Sequence, residues 1–345
     1  MGGYPDAWTR YEANIDFTGA GRIAFRYFVT DGGPSGSNSN YIGIDTVEVT
    51  SDTGWEAVTS LNTPRSRPAM AFFPQNGRYY VLGGESFGNR DIPIEEYDLK
   101  ADTWTNRANL LVGVSNTGAA TVGGYIYVPG GYDGSIGRNE MQRFNPLANS
   151  VSLMAPMPKG NSAHAVVAAG KRVYVLGGSA SGPGTTNYFY DTEGDSWAAG
   201  SPVPTPVSYA AAAYDGTYIY LVGGTGDSNA VQRYNPLTDQ WDTAAPMLTG
   251  RAGPAAFYDG TRLWVVGGGW NSYLSSTEYY QDGTWIIGPT MNTGVRTVAA
   301  AYGKGVALKA GGYNGSYSGA AEKLVINRAF PWPMFLPAIT HSAQP

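Results

Sequence analysis

The chain has 345 residues, of which 42% are hydrophobic and 14% charged, with 48 Gly, 22 Pro, 25 Tyr and 9 Trp; many turn formers and aromatics beside so few charges fit a turn-dense all-β protein with a large core. A net charge of −5 and the lack of any basic run remove the electrostatic ground for binding nucleic acid or an anionic membrane. Cys is absent, which excludes disulfides and thiolate metal sites, no apolar stretch is long enough to span a bilayer as a helix, and the N-terminus does not read as a signal peptide.

In chain order, WTRYEANIDF, GRIAFRYFVT and SNYIGIDTVEV predict three strands, broken by the Gly/Ser/Asn-rich DGGPSGSNSN. Residues 47 to 59, VEVTSDTGWEAVT, predict a further strand around Trp55. From there a repeat takes over. Gly-Gly pairs begin at Gly83, Gly130, Gly177, Gly223, Gly267 and Gly311, at spacings of 47, 47, 46, 44 and 44, a period that marks an array of supersecondary units.

Each pair ends a β-branched or aromatic run, as in YYVLGG, RVYVLGG and RLWVVGG, and just upstream lies a second strand rich in Ala, Val and aromatics, as in AMAFF, HAVVA and YAAAAY. Asn76-Gly77, Gly123-Gly124, Asp215-Gly216 and Asp259-Gly260 join the two as hairpin turns, because they tolerate positive φ. A third strand ends in Tyr97-Asp98, Phe144-Asn145, Tyr190-Asp191 or Tyr234-Asn235, and Trp104, Trp197 and Trp241 mark a fourth. Such units cannot bury their faces singly, so radial closure is expected, with Gly pairs allowing close backbone approach and the aromatics filling the wedges between sheets.

From about residue 47 to 327, the diglycine followed by a spaced Tyr and Trp resembles the kelch-repeat family. The resemblance implies an all-β, six-bladed kelch-type β-propeller with an N-terminal β-hairpin extension. AEKLVIN, Ala321 to Asn327, has no strand after it, so the segment around Trp55 is expected to complete the last blade beside Leu324. Residues 1–46, above all IAFRYFVTDGG and YIGID, resemble the closing strands of jelly-roll modules in bacterial surface proteins, which implies an exported, cell-surface setting and membership of a longer polypeptide. Residues 328–345 read as a Pro-rich tail.

Chemistry is sparse. The two His, His164 and His341, are far apart, and His164 opens a strand, which favours a structural role; with no Cys, no metal, cofactor or copper-radical centre of the galactose oxidase kind is expected. Turns such as YDGS and GDSN offer too few carboxylates for calcium. What remains is a face. The resemblance places the loops entering each innermost strand and those after each Gly pair around the channel mouth, where Arg65, Arg67, Asn89, Arg90, Tyr132, Asp133, Arg138, Asn161, Tyr209, Arg251, Trp270, Asn271, Arg296 and Tyr313 are the candidate ligand-binding residues. Aromatic planes beside Arg, Asn and Asp suit a glycan or a protein partner. The expected function is a non-catalytic recognition or adhesion module, monomeric and not membrane-inserted. The alternative is a sugar-processing enzyme such as a sialic acid mutarotase or epimerase, a reading that fold analogy suggests because those enzymes are also six-bladed kelch propellers; Arg65, Arg67, Arg251 and Arg296 would hold the sugar carboxylate, with Glu85 and Asp133 as available acids.

Overall fold

The computed structural model describes residues 41–44, 54–179, 182–326 and 334–337. They contain strands and no helix, and residues Ser51–Ile326 form a unit of their own. Within it lie six four-stranded antiparallel sheets. The first runs outward from Ala69–Phe73 through Arg78–Leu82 and Pro93–Asp98 to Thr103–Asn109, and the next four repeat that order. The sixth takes three strands from Ala299–Gly303, Val306–Ala310 and Ala321–Val325, and its outer strand, Glu56–Val58, comes from the other end. Glu56 pairs with Lys323 and Val58 with Ala321, which closes the circle as the sequence predicts. In the second unit, Tyr41–Ile44 pairs antiparallel with Met334–Pro337. The other strands expected in residues 1–46, the hairpin they would form and the rest of the tail lie outside the described residues.

The core is divided into six clusters of buried side chains, one at each blade junction. Ala71, Phe73 and Tyr80 of the first blade, for example, interdigitate with Ile126, Val128 and Phe144 of the second. Burial of each such aliphatic or Phe side chain contributes roughly 1.5–3 kcal/mol. The repeat Trp residues reach across the same junctions: Trp104 donates to Thr59 O, Trp197 to Ala155 O, Trp241 to Ser201 O and Trp285 to Ala245 O, at 2.7–2.8 Å. Trp104 is buried as expected, whereas Trp197 and Trp241 are partly exposed.

Two rings of backbone hydrogen bonds tie the blades together near the axis. In the first, the N–H of each second glycine donates to the residue that enters the next blade: Gly84 to Val114, Gly131 to Asn161, Gly178 to Val207, Gly224 to Arg251, Gly268 to Val295 and Gly312 to Arg65, all at 2.8–2.9 Å. This contact explains the diglycine. Both residues of each pair have positive φ, and a Cβ on Gly83, Gly177 or Gly223 would lie 2.5 Å from the accepting carbonyl oxygen. In the second ring, Arg67 N–H donates to Thr297 O, Thr297 to Gly253, Gly253 to Tyr209, Tyr209 to Ala163, Ala163 to Asn116, and Asn116 back to Arg67, at 2.7–3.2 Å. All six residues are left-handed, with φ between 48° and 64°, although five carry a Cβ. Left-handed backbone costs such residues roughly 1–2 kcal/mol each, which the hydrogen-bonded circle offsets.

A central channel of about 450 Å³ runs from beneath the second ring to the opposite face, lined by the six innermost strands. At its far end stand the half-buried Phe72, Tyr214, Tyr258 and Tyr302.

Candidate functional site

The six arginines expected at the mouth separate by burial. Arg65 and Arg251 have no exposed side-chain surface and do not present a ligand contact, which corrects their assignment. Arg65 pairs with Glu95 at 2.5 Å and Arg251 with Glu278 at 2.8 Å; each also donates to the first glycine of its blade, Gly83 or Gly267. Glu95 and Glu278 in turn accept the backbone N–H groups of Asn62 and Thr63, and of Leu248 and Thr249, so the pair pins the entering loop. Burial pulls both guanidinium pKa values down against the opposing pull of the carboxylates. Asn161, also buried, is engaged in the same way, donating to Gly177 O and accepting from Ser162 N–H.

The remaining residues form two sectors. In the charged sector Glu85 is clamped between Arg67, at 2.7 Å, and Arg90. Arg90 also donates to Ser115 Oγ and lies over the ring of Tyr132, 5.2 Å from its centre. Arg138 pairs with Asp133 and with Glu140. The N–H groups of Ile136 and Ser135, together with Arg138, hold the Asp133 carboxyl below its ordinary pKa. Asn89 is exposed and donates to Asp91 O. Every charge here is neutralised by a neighbour.

The aromatic sector differs. Tyr209 meets Trp270 at 4.9 Å, Tyr273 meets Tyr313 at 6.0 Å, Tyr313 meets Tyr317 at 6.0 Å, and Tyr317 meets Phe87 at 4.9 Å. Arg296 sits among them, 4.3 Å from the centre of Trp270, 5.2 Å from Tyr313 and 5.5 Å from Tyr273. Two backbone bonds pair Arg296 with Tyr313, its guanidinium donates to Trp270 O, and Asp227 Oδ1 fixes the loop by accepting Trp270 N–H at 2.8 Å. Among the described residues Arg296 has no carboxylate partner, unlike the other five mouth arginines. Asn271 is exposed at the edge of this arc. Tyr273 and Tyr317, further aromatics of the loops that follow the fifth and sixth Gly pairs, join it. So does Phe87, which is 84% exposed and whose one signal is a large apolar side chain inside the polar loop ESFGNR.

Among the described residues no group of three or more metal-ligating side chains gathers, and no helix is long and apolar enough to cross a membrane. His164 lies at the inner end of the channel, 5% exposed. Its Nε2 donates to Pro129 O at 3.0 Å, the carbonyl that Thr117 Oγ1 also donates to, and its Nδ1 has no partner. Burial lowers its pKa from 6.5 to about 4, so the ring is neutral at physiological pH. The unfolded chain takes up this proton near pH 6.5 while the folded chain resists until about pH 4; stability therefore falls as pH drops through that window, by about 3 kcal/mol in total. Denaturation midpoints measured from pH 7 to 4 should fall less steeply for His164→Leu than for the wild type, and equal slopes would refute the assignment.

Comparison with known proteins agrees with this architecture. The Kelch motif family model matches residues 113–158 and 206–248. Kelch-like protein 25 of Xenopus tropicalis is 27% identical over 193 residues, covering 52% of this chain and 32% of that protein, and Kelch-like protein 35 of Mus musculus is 28% identical over 172 residues, covering 49% and 29%. Spermatocyte protein spe-26 of Caenorhabditis elegans is 27% identical over 130 residues, covering 36% and 23%. The matches thus span about a third or less of these relatives. The solved structure of YjhT superposes with a TM-score of 0.65 at 16% identity, covering 81% of this chain and 99% of that one, a likeness of fold.

Proposed function

Because this chain is a six-bladed kelch-repeat propeller, we propose that it is a non-catalytic recognition module that binds through the aromatic arc around Arg296, to an acidic segment of a protein or an acidic glycan. The observation that carries this reading is a guanidinium set among three aromatic rings and lacking a carboxylate partner among the described residues. Tyr, Trp and Arg are the side chains on which binding energy concentrates, since they combine large contact area with fixed polar groups. An oxyanion of the ligand would complete the pairing that neighbouring arginines find within the chain, while a sugar ring or apolar side chain would cover the rings.

Catalysis on a sugar ring would require a group on this face poised to exchange protons. Asp133 is held in its ionised form by N–H donors and Arg138, and Glu85 is clamped by two arginines, which favours binding over conversion. The exported setting implied by the N-terminal resemblance is part of the proposal, and locating the protein by cell fractionation would test it.

Arrays of peptides and of glycans would supply the ligand. With the hits in hand, Trp270→Ala should abolish or greatly weaken binding, and Arg296→Ala should weaken acidic hits by roughly 10- to 100-fold, the effect of losing a charge-assisted contact. The Tm should change by only a few degrees, because both side chains stand in loops. Hits that bind both variants with wild-type affinity would move the site away from this arc, and turnover of any sugar hit would move the reading to catalysis.

A further inference from the structure

We propose that the third blade carries a second binding site, for a small carboxylic acid, between the loop that enters the blade and its third strand. The reading stands independently of the aromatic arc. It rests on a contact that five blades make and the third does not.

The carbonyls that accept from the second glycines belong to Arg65, Val114, Asn161, Val207, Arg251 and Val295. Two residues before five of these, a backbone N–H donates to a side chain on the third strand of its own blade: Thr63 to Glu95, Val112 to Gln142, Thr205 to Gln232, Thr249 to Glu278 and Thr293 to Glu322, at 2.8–3.0 Å. Each of these acceptors pairs across the sheet with the residue two before the first glycine, namely Val81, Val128, Leu221, Val265 and Lys309. In the third blade the two places hold Lys159 and Tyr188, the latter opposite Val175. No hydrogen bond joins them. Among the described residues neither the N–H nor the ammonium of Lys159 has a partner.

The direction of that N–H follows from its neighbours. Met157 N–H donates to Asn139 O and Asn161 N–H to Arg138 O, as Met247 donates to Asn229 O and Arg251 to Ser228 O in the loop entering the fifth blade. The backbone on both sides of Lys159 is thus held as it is around Thr249, whose N–H meets Glu278. Aimed the same way, the Lys159 N–H faces the strand position of Tyr188. A cavity of about 430 Å³, within the range of small-molecule pockets, opens there and is lined by both residues, with Gly160, Thr186, Gly200 and Pro202 around them.

The charge around the cavity selects the ligand. Among the described residues no Asp or Glu lines it, and Lys159 is its one charged side chain. A carboxylate seated there would supply the acceptor that Glu supplies in the first, fifth and sixth blades, and the ammonium favours it over an amide.

The test is an NMR titration of the isotope-labelled full chain with propionate, which has the carbon skeleton of the missing Glu side chain, read at the Lys159 amide. That signal should move saturably, and propionamide should bind more weakly. Lys159→Gln should weaken propionate roughly fivefold, the loss of one exposed charge pair. Tyr188→Glu should install the absent contact: propionate binding should vanish, and without ligand the Lys159 amide should already be displaced in the direction that propionate moves it. Tyr188→Gln, the choice of the second and fourth blades, should do the same, and Trp270→Ala should leave the titration unchanged. An unresponsive Lys159 amide in the wild type, equal affinity for propionamide, or undiminished propionate binding in the Tyr188 variants would each overturn the proposal. If neither Tyr188 variant folds, the wild-type titrations with the two ligands decide the matter.

Discussion

Replacing Arg251 with Val should destabilise the propeller by about 3–5 kcal/mol in chemical denaturation, because it strands the Glu278 carboxylate, 1% exposed, without its counter-charge. Adding Glu278→Gln should recover most of that loss. The repeats themselves supply the reason. At the same two positions the second blade has Val114 with Gln142 and the fourth has Val207 with Gln232, and each Gln holds its entering loop through one N–H and one carbonyl, of Val112 and Thr205. Arg goes with Glu, and Val goes with Gln. The sixth blade departs from that pairing, since Val295 accompanies Glu322, and there the carboxylate is met instead at 2.7 Å by Lys309 from the second strand. A double variant as unstable as Arg251→Val alone would show that the exchange is not modular.

Trp104→Ala should cost about 3–5 kcal/mol, the usual range for deleting a large buried ring. The indole is 7% exposed, packs 4.7 Å from Tyr97 and donates to Thr59 O at 2.7 Å, so its loss opens a cavity and leaves that carbonyl without its indole donor where the closing strand leads into the first blade. Trp197→Ala and Trp241→Ala should cost less, since both rings are partly exposed. Denaturation curves for the three variants check the order, and a loss below about 1 kcal/mol at Trp104 would contradict the packing described.

The blades were legible because they are repeated: period, hairpin dipeptides and the Tyr/Trp spacing each recur, and the strand around Trp55 was placed by the gap that Ala321–Val325 leaves. The mouth was less legible. Arg65 and Arg251 read as loop arginines because their partners lie 30 and 27 residues away on third strands, although the Arg/Glu and Val/Gln alternation was written in the sequence. Arg296 and Trp270 were both chosen, but their stacking depends on neighbouring blades meeting, which no local pattern encodes. The left-handed ring had no signature at all. Its members are Arg, Asn, Ala, Tyr, Gly and Thr, since the bond uses backbone atoms and leaves the side chain free to vary.

Closure by the strand Glu56–Val58 also decides how the ring yields to mechanical force. The chain enters this strand beside Glu56 and leaves its neighbour beyond Val325, at the same end of an antiparallel pair only three residues long. Tension applied across residues 54 and 326 therefore pulls along the hydrogen bonds and opens them singly, like a zipper, instead of shearing them together. The backbone circles around the axis have no free end from which to peel, so the blade that shuts the propeller is also its weakest mechanical element.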